Sequence, residues 1–155
     1  MAYFFAYGDR MNPEKMYGDT PEAKLIGPAR VHGYRLEFNV QSRTWGGGAA
    51  NAVPDHGGTL WGILWEVSDD DLRRFDSFRG EDVGQHGVLD VVAQGPDGPK
   101  TARTFLVDSH AGYVRPSDRY LDMLRAVAEA QGLPREALEE INRADRRPHG
   151  PAPSI

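Results

Sequence analysis

The chain contains no cysteine among its 155 residues. That excludes disulfides, thiolate metal sites and a cysteine nucleophile. Long apolar runs are missing too, since none approaches the ~18–20 residues needed to cross a bilayer. Positive charge is not in excess: 18 basic residues stand against 23 acidic ones, a net charge of −5. General affinity for nucleic acid needs a basic footprint, so that class of partner is excluded. The five histidines, His32, His56, His86, His110 and His149, show no short metal-ligand spacing, and neither a metal nor another cofactor is expected. No G-x-S-x-G occurs to carry a serine nucleophile. The opening MAYFFAYGD lacks the basic n-region of a signal peptide and turns charged at Asp9. The expectation is a soluble cytoplasmic protein with no membrane partner, and no pattern speaks to its oligomeric state.

Glycine (18) and proline (11) are plentiful and predict many turns between short strands. AYFFAYG (2–8) reads as a buried aromatic strand ended by glycine, and residues 9–27 as loop with one helical turn at 13–16. VHGYRLEFNV (31–40) alternates. His32, Tyr34, Leu36, Phe38 and Val40 fall on one face, with Arg35, Glu37 and Asn39 on the other. TLWGILWEV (59–67) is apolar on both faces and reads as a central strand carrying Trp61 and Trp65 as core residues. SDDDLRRF (68–75) starts a helix, with Ser68 as N-cap and three acids in the first turn. Strands follow at 86–93 and 101–107 around a GPDGP turn.

From Ser117 the period changes to that of a helix, with Tyr120, Leu121, Leu124, Val127 and Ala128 on one stripe and Gly132 and Pro134 at its end. A second helix covers 134–146. The fold class is α+β: a strand-rich, curled or closed sheet with helices late in the chain. Residues 1–146 form one domain, and 147–155 a flexible tail.

Three patterns invite a functional reading. WGGGAAN (45–51) has the glycines of a phosphate loop, but no helix follows to turn its N–H groups toward an anion, so close backbone approach is the better explanation. YGDRM (7–11) puts a glycine just past a buried strand, with Asp9 and Arg10 beside backbone N–H groups at the sheet end. RRFDSFRGEDVGQH (73–86) concentrates three arginines and three carboxylates.

Taken together, these segments resemble the γ-glutamyl cyclotransferase family. That family opens with a strand and Tyr-Gly-Ser-Asn, where this chain has YFFAYGDR. It continues with Gly-Tyr-x-Leu-x-Phe (GYRLEF, 33–38), Trp-x-Gly-Gly (WGGG, 45–48) and a Leu-Trp-Gly-Val-x-Trp strand (LWGILW, 60–65). It closes with a Pro-Ser-x-x-Tyr-Leu helix followed by Gly-Leu-Pro (115–134). The resemblance runs from about residue 3 to 145. It implies a mixed, barrel-like sheet around one cavity, flanked by helices. It also implies an intramolecular aminolysis, in which the α-amine of a γ-glutamyl amide attacks its own γ-carbonyl and releases 5-oxoproline and an amine. In such proteins a glutamate in Leu-Asp-x-x-Glu-Gly moves the proton, and backbone amides of Tyr-Gly-Ser-Asn hold substrate oxygens. Tyr7, Gly8, Asp9, Arg10 and Met11 are thereby implied as substrate-binding residues.

Here the match departs from the pattern. Aligning FDSFRG (75–80) places Arg79 at the glutamate position, while Asp9 replaces serine and Arg10 replaces asparagine. An arginine has no acceptor and keeps its proton at any ordinary pH, so it does not serve as base. Glu81, Asp9 and then Asp76 are the carboxylates available instead, and His86 titrates near neutrality. Arg79, with Arg10, suits an anionic group on a substrate. Two functions follow as expectations. One is a divergent cyclotransferase-like enzyme, conceivably in small-molecule biosynthesis. The other is a binding protein that kept the cavity, lost the base, and clamps an anion without turnover.

Overall fold

A computed structural model describes residues 1–76, 87–108 and 112–147. Arg79, Glu81 and His86 lie outside the described residues, as do 148–155. In chain order the elements are β1 (Ala2–Ala6), a 3-10 turn (Asp9–Met11), α1 (Pro13–Asp19), β2 (Lys24–Ser42) and β3 (Gly47–Val67). Then come α2 (Asp69–Asp76), β4 (Gly87–Gly95), β5 (Gly98–Leu106), α3 (Asp118–Ala130) and α4 (Arg135–Ala144).

The five strands close into a barrel in the order β1-β3-β2-β4-β5. β1 meets β5 in parallel, and the other neighbours are antiparallel. The mixed barrel expected from the resemblance is therefore present. Large side chains are buried on both faces of its wall, among them Phe5, Phe38, Ile63, Leu64 and Trp65. Phe4 stacks against Phe75 of α2 at 4.8 Å and Phe105 of β5 at 5.3 Å, fastening that helix to the barrel wall.

β2 and β3 are longer than their apolar patterns predict. β2 begins at Lys24, because Gly27 takes a positive φ (+141°) at a bulge and Pro28 still pairs with Ile63. A second bulge at Gly33 (φ +91°) moves the inward face by one residue, from Val31 to Leu36. The predicted alternation consequently holds for Leu36, Phe38 and Val40, while His32 turns outward. Asn39, assigned to the outer face, is buried beside Asn51.

Beyond Arg30 the free edge of β2 has no strand neighbour among the described residues, and two other elements cover it. The Glu140 carboxylate of α4 accepts from the Leu36 N–H at 2.8 Å. The Val114 N–H donates to the Phe38 carbonyl at 2.8 Å. Such covering satisfies backbone groups that would otherwise invite another chain. The same segment crosses β3, where Gly48 donates to the Arg115 carbonyl at 2.8 Å. A Cβ on Gly48 would lie 1.9 Å from the Val114 oxygen, so the WGGG run marks a close backbone crossing.

The N-cap read from the sequence forms, with Ser68 accepting from Asp71 N at 3.0 Å, and Ser117 caps α3 in the same way, accepting from Tyr120 N at 3.2 Å. The buried stripe of α3 is Tyr120, Leu121, Leu124, Val127 and Ala128. Arg147, the first residue of the expected tail, makes two ion pairs. Its guanidinium bonds Asp145 at 3.0 Å and Asp118 at 2.7 Å, tying the end of α4 to the start of α3.

Candidate active site

The YGDRM segment leaves the end of β1 and makes its 3-10 turn against three other elements. Tyr7 fixes its entry. The Tyr7 hydroxyl donates to the Phe105 carbonyl at 2.5 Å and accepts from Ala52 N at 3.2 Å, linking β1 to β5 and β3. Burial pushes this phenol well above the ordinary tyrosine range, against the opposing pull of the Ala52 N–H. The hydroxyl is thus part of the frame, and a contact from Tyr7 to a substrate would fall to its backbone. Beneath the turn, Trp65 donates its indole N–H to the Arg10 carbonyl at 3.2 Å, and Met11 is buried in the core.

Among the described residues, Arg10 Nη2 pairs with Asp19 of α1 at 3.1 Å, and its guanidinium lies over the rings of Phe105 (5.5 Å) and Phe75 (6.0 Å). The charge expected to clamp an anion thus already has a carboxylate beside it. Asp76 is likewise engaged, accepting from Arg103 of β5 at 2.6 Å, while Arg103 also bonds Asp90 at 3.2 Å.

Asp9 differs from both. It is half-buried, and its Oδ2 accepts from the indole N–H of Trp45 at 3.3 Å. No cation is paired with it among the described residues. Trp45 sits in the turn between β2 and β3, and α3 holds it there. The Arg119 guanidinium lies 4.7 Å over the indole, and the Tyr120 ring packs 5.1 Å away. Tyr120 then reaches the barrel, where its hydroxyl accepts from Ala50 N at 2.9 Å. Gly8 fits this junction closely, since a Cβ there would stand 3.7 Å from the Tyr120 oxygen.

Nearby, Asn51 closes the end of β5. Its side chain donates to the Val107 carbonyl at 2.6 Å and accepts from Val107 N at 2.9 Å, with a further bond to Asn39 at 2.9 Å. Arg119, Asn51 and Arg103 are not distinguished by sequence pattern, while Trp45 stands out only as the first residue of the WGGG run and Tyr120 only as a position on the helical stripe.

A separate groove of about 890 Å³ lies between the β2–β3 ribbon and α4, and none of residues 7–11 lines it. Its arginines largely meet carboxylates: Arg35 and Arg146 share Glu37 at 3.0 and 3.1 Å, and Arg143 bonds Glu140.

Known proteins resemble this chain in sequence and in fold. A family model described as the AIG2-like family matches residues 59–141. Human gamma-glutamylcyclotransferase is 29% identical over 143 residues, covering 89% of this chain and 76% of the human protein. The bovine gamma-glutamylcyclotransferase is 28% identical over 144 residues, covering 90% and 76% respectively. A solved structure of a gamma-glutamyl cyclotransferase superposes with a TM-score of 0.82 at 26% identity, covering 99% of this chain and 93% of the other.

Proposed function

We propose, from the premise that the chain belongs to the AIG2-like family of gamma-glutamyl cyclotransferases, that it cyclises a γ-glutamyl amide with Asp9 as the proton acceptor. The substrate's α-nitrogen attacks the γ-carbonyl carbon, the amide C–N bond breaks, and 5-oxoproline leaves with a free amine. The nucleophile starts as an ammonium and ends as the lactam N–H, so two protons must leave it, and the departing nitrogen takes up both to leave as an ammonium at neutral pH. A carboxylate that accepts each proton in turn and hands it to the departing nitrogen balances the reaction.

One observation carries this reading: Asp9 bears a carboxylate paired with no cation among the described residues, beside the glycine of the Tyr-Gly turn. Arg10 and Asp76, which compete for a role in the chemistry, are already in ion pairs. The backbone amides of the Tyr7–Met11 turn would receive the substrate's oxygens. Glu81 and His86 are the alternative proton carriers, and Arg79 would meet an anionic group of the substrate. A negatively charged Asp9 also favours a ligand with an ammonium over a purely anionic one, which weighs against the anion-binding reading.

The test is to incubate the purified protein with a panel of γ-glutamyl amines and amino acids and to measure 5-oxoproline. Release with at least one panel member supports the reading, and silence across the panel contradicts it. Arg79→Glu, which restores the acid of the resembled pattern, is expected to raise the rate.

A further inference from the structure

We infer that Trp45 is a positioning residue for this reaction and acts through Asp9, an inference that rests on the reading of Asp9 given above. Asp9 is held by a neutral N–H donor and not by a cation. A carboxylate has two oxygens and about four acceptor directions. On Asp9 the indole takes up Oδ2, and Oδ1 has no hydrogen-bond partner among the described residues. The bond therefore removes rotational freedom while leaving an oxygen able to take a proton. A cation in the same place would also orient the acid but would suppress its basicity.

Trp45 is itself held more firmly than a turn residue requires. Its backbone N–H bonds the Ser42 hydroxyl at 3.1 Å. Arg119 covers the ring and also donates to the neighbouring Thr44 carbonyl at 2.7 Å. Tyr120 packs against the ring and is tied to Ala50. These contacts give the indole N–H one direction, and that direction ends at Asp9. Their origin lies in the crossing at Gly48, which brings Ser117 and the start of α3 over the turn. The resembled pattern has serine at position 9, so the anionic partner of the indole belongs to this chain. Holding a reacting group in its productive geometry accounts for large rate factors, and displacement by about 1 Å can cost roughly 10²-fold.

The experiment compares wild type, Trp45→Phe, Asp9→Asn and the double variant on whichever γ-glutamyl compound is turned over, with kcat and KM measured separately. Trp61→Phe serves as control, because Trp61 contacts Arg30 away from the turn (5.8 Å). Phenylalanine keeps an aromatic ring beneath Arg119 and removes only the donor. The expected result is a roughly 10-fold lower kcat for Trp45→Phe with KM within about 3-fold, no further loss when Trp45→Phe is added to Asp9→Asn, and an unchanged Trp61→Phe. Trp45→His, which retains a ring N–H, is expected to recover part of the rate. Should Trp45→Phe not fold, Arg119→Leu reads the same coupling by releasing the indole, and its expected loss is also absent in the Asp9→Asn background. Normal kinetics for Trp45→Phe, or an equal loss with and without the Asp9 carboxylate, overturns this inference and leaves the cyclisation reading intact. No 5-oxoproline from wild type overturns both.

Discussion

The hydroxyl of Tyr7 donates to the carbonyl of Phe105 across the parallel junction of β1 and β5, at 2.5 Å. Among the described residues that junction has a single register pair, Phe4 with Arg103, so a side chain supplies part of the closure that backbone pairing supplies elsewhere. The neighbouring Thr104 adds another such bond, from its hydroxyl to the Phe5 carbonyl at 2.7 Å. The candidate site begins one residue beyond Tyr7, so barrel closure and site placement depend on the same bond.

Tyr7→Phe is expected to cost about 1–3 kcal/mol, because it leaves the Phe105 carbonyl and Ala52 N–H without this partner in a buried place. The pH dependence has a definite sign. The folded phenol holds its proton more tightly than the unfolded one. Its contribution is complete below the unfolded tyrosine pKa of ~10 and is lost as pH rises above it. Urea unfolding between pH 8 and 11 should show stability falling with pH in wild type, and a shallower fall in Tyr7→Phe.

Asp145 makes the opposite prediction at the acid end. Burial opposes its ionisation, but the bonds from Arg147 and Tyr113 outweigh burial and hold its pKa below the usual carboxylate range. That stabilisation is present above the unfolded value of ~3.9 and lost as pH falls through the lower folded one. Asp145→Asn should cost about 1.5–3 kcal/mol at neutral pH and flatten the loss of stability below pH 4, measured by urea midpoints.

Gly48→Ala tests the crossing that holds α3 over the Trp45 turn. A methyl group there meets the Val114 carbonyl, so the 114–117 segment must move. A destabilisation of about 1–3 kcal/mol is expected, together with altered tryptophan emission as Trp45 loses its place under Arg119. Gly57→Ala, where no atom lies within 4 Å of the added Cβ, should leave both unchanged.

Much of this fold is visible in the residues themselves. Ser68 caps its helix as expected, α3 starts at the change of period at Ser117, and the stripe of α3 is the buried stripe. The starts of β2 and β3 were not visible, because Gly27, Pro28 and the WGGG run carry the composition of a loop. Bulges let those residues remain in a ladder. The Tyr-Gly turn is recognisable from its position after an aromatic strand, yet the roles of its side chains are not. Whether Arg10 reaches a ligand or Asp19 depends on where α1 folds back, and local pattern does not encode that. The Asp9–Trp45 bond joins residues 36 positions apart and has no periodic signature. Position 79, which carries the arginine departure, lies outside the described residues.

Asp76 separates a framework role from a chemical one. Its carboxylate joins α2 to Arg103, and the pair is partly solvated, so Asp76→Asn should cost no more than about 1 kcal/mol. Its turnover is expected to stay within about 3-fold of wild type, far short of the ~10²–10⁴ loss that follows removal of a general base.

The most direct test of the account is the kcat/KM of Asp9→Asn for 5-oxoproline release, measured beside wild type and Glu81→Gln. Removal of the Asp9 charge is predicted to lower it by ~10²–10⁴, with Glu81→Gln near wild type. An Asp9→Asn protein that turns over like wild type, or a full loss confined to Glu81→Gln, would contradict the assignment of Asp9 as proton acceptor.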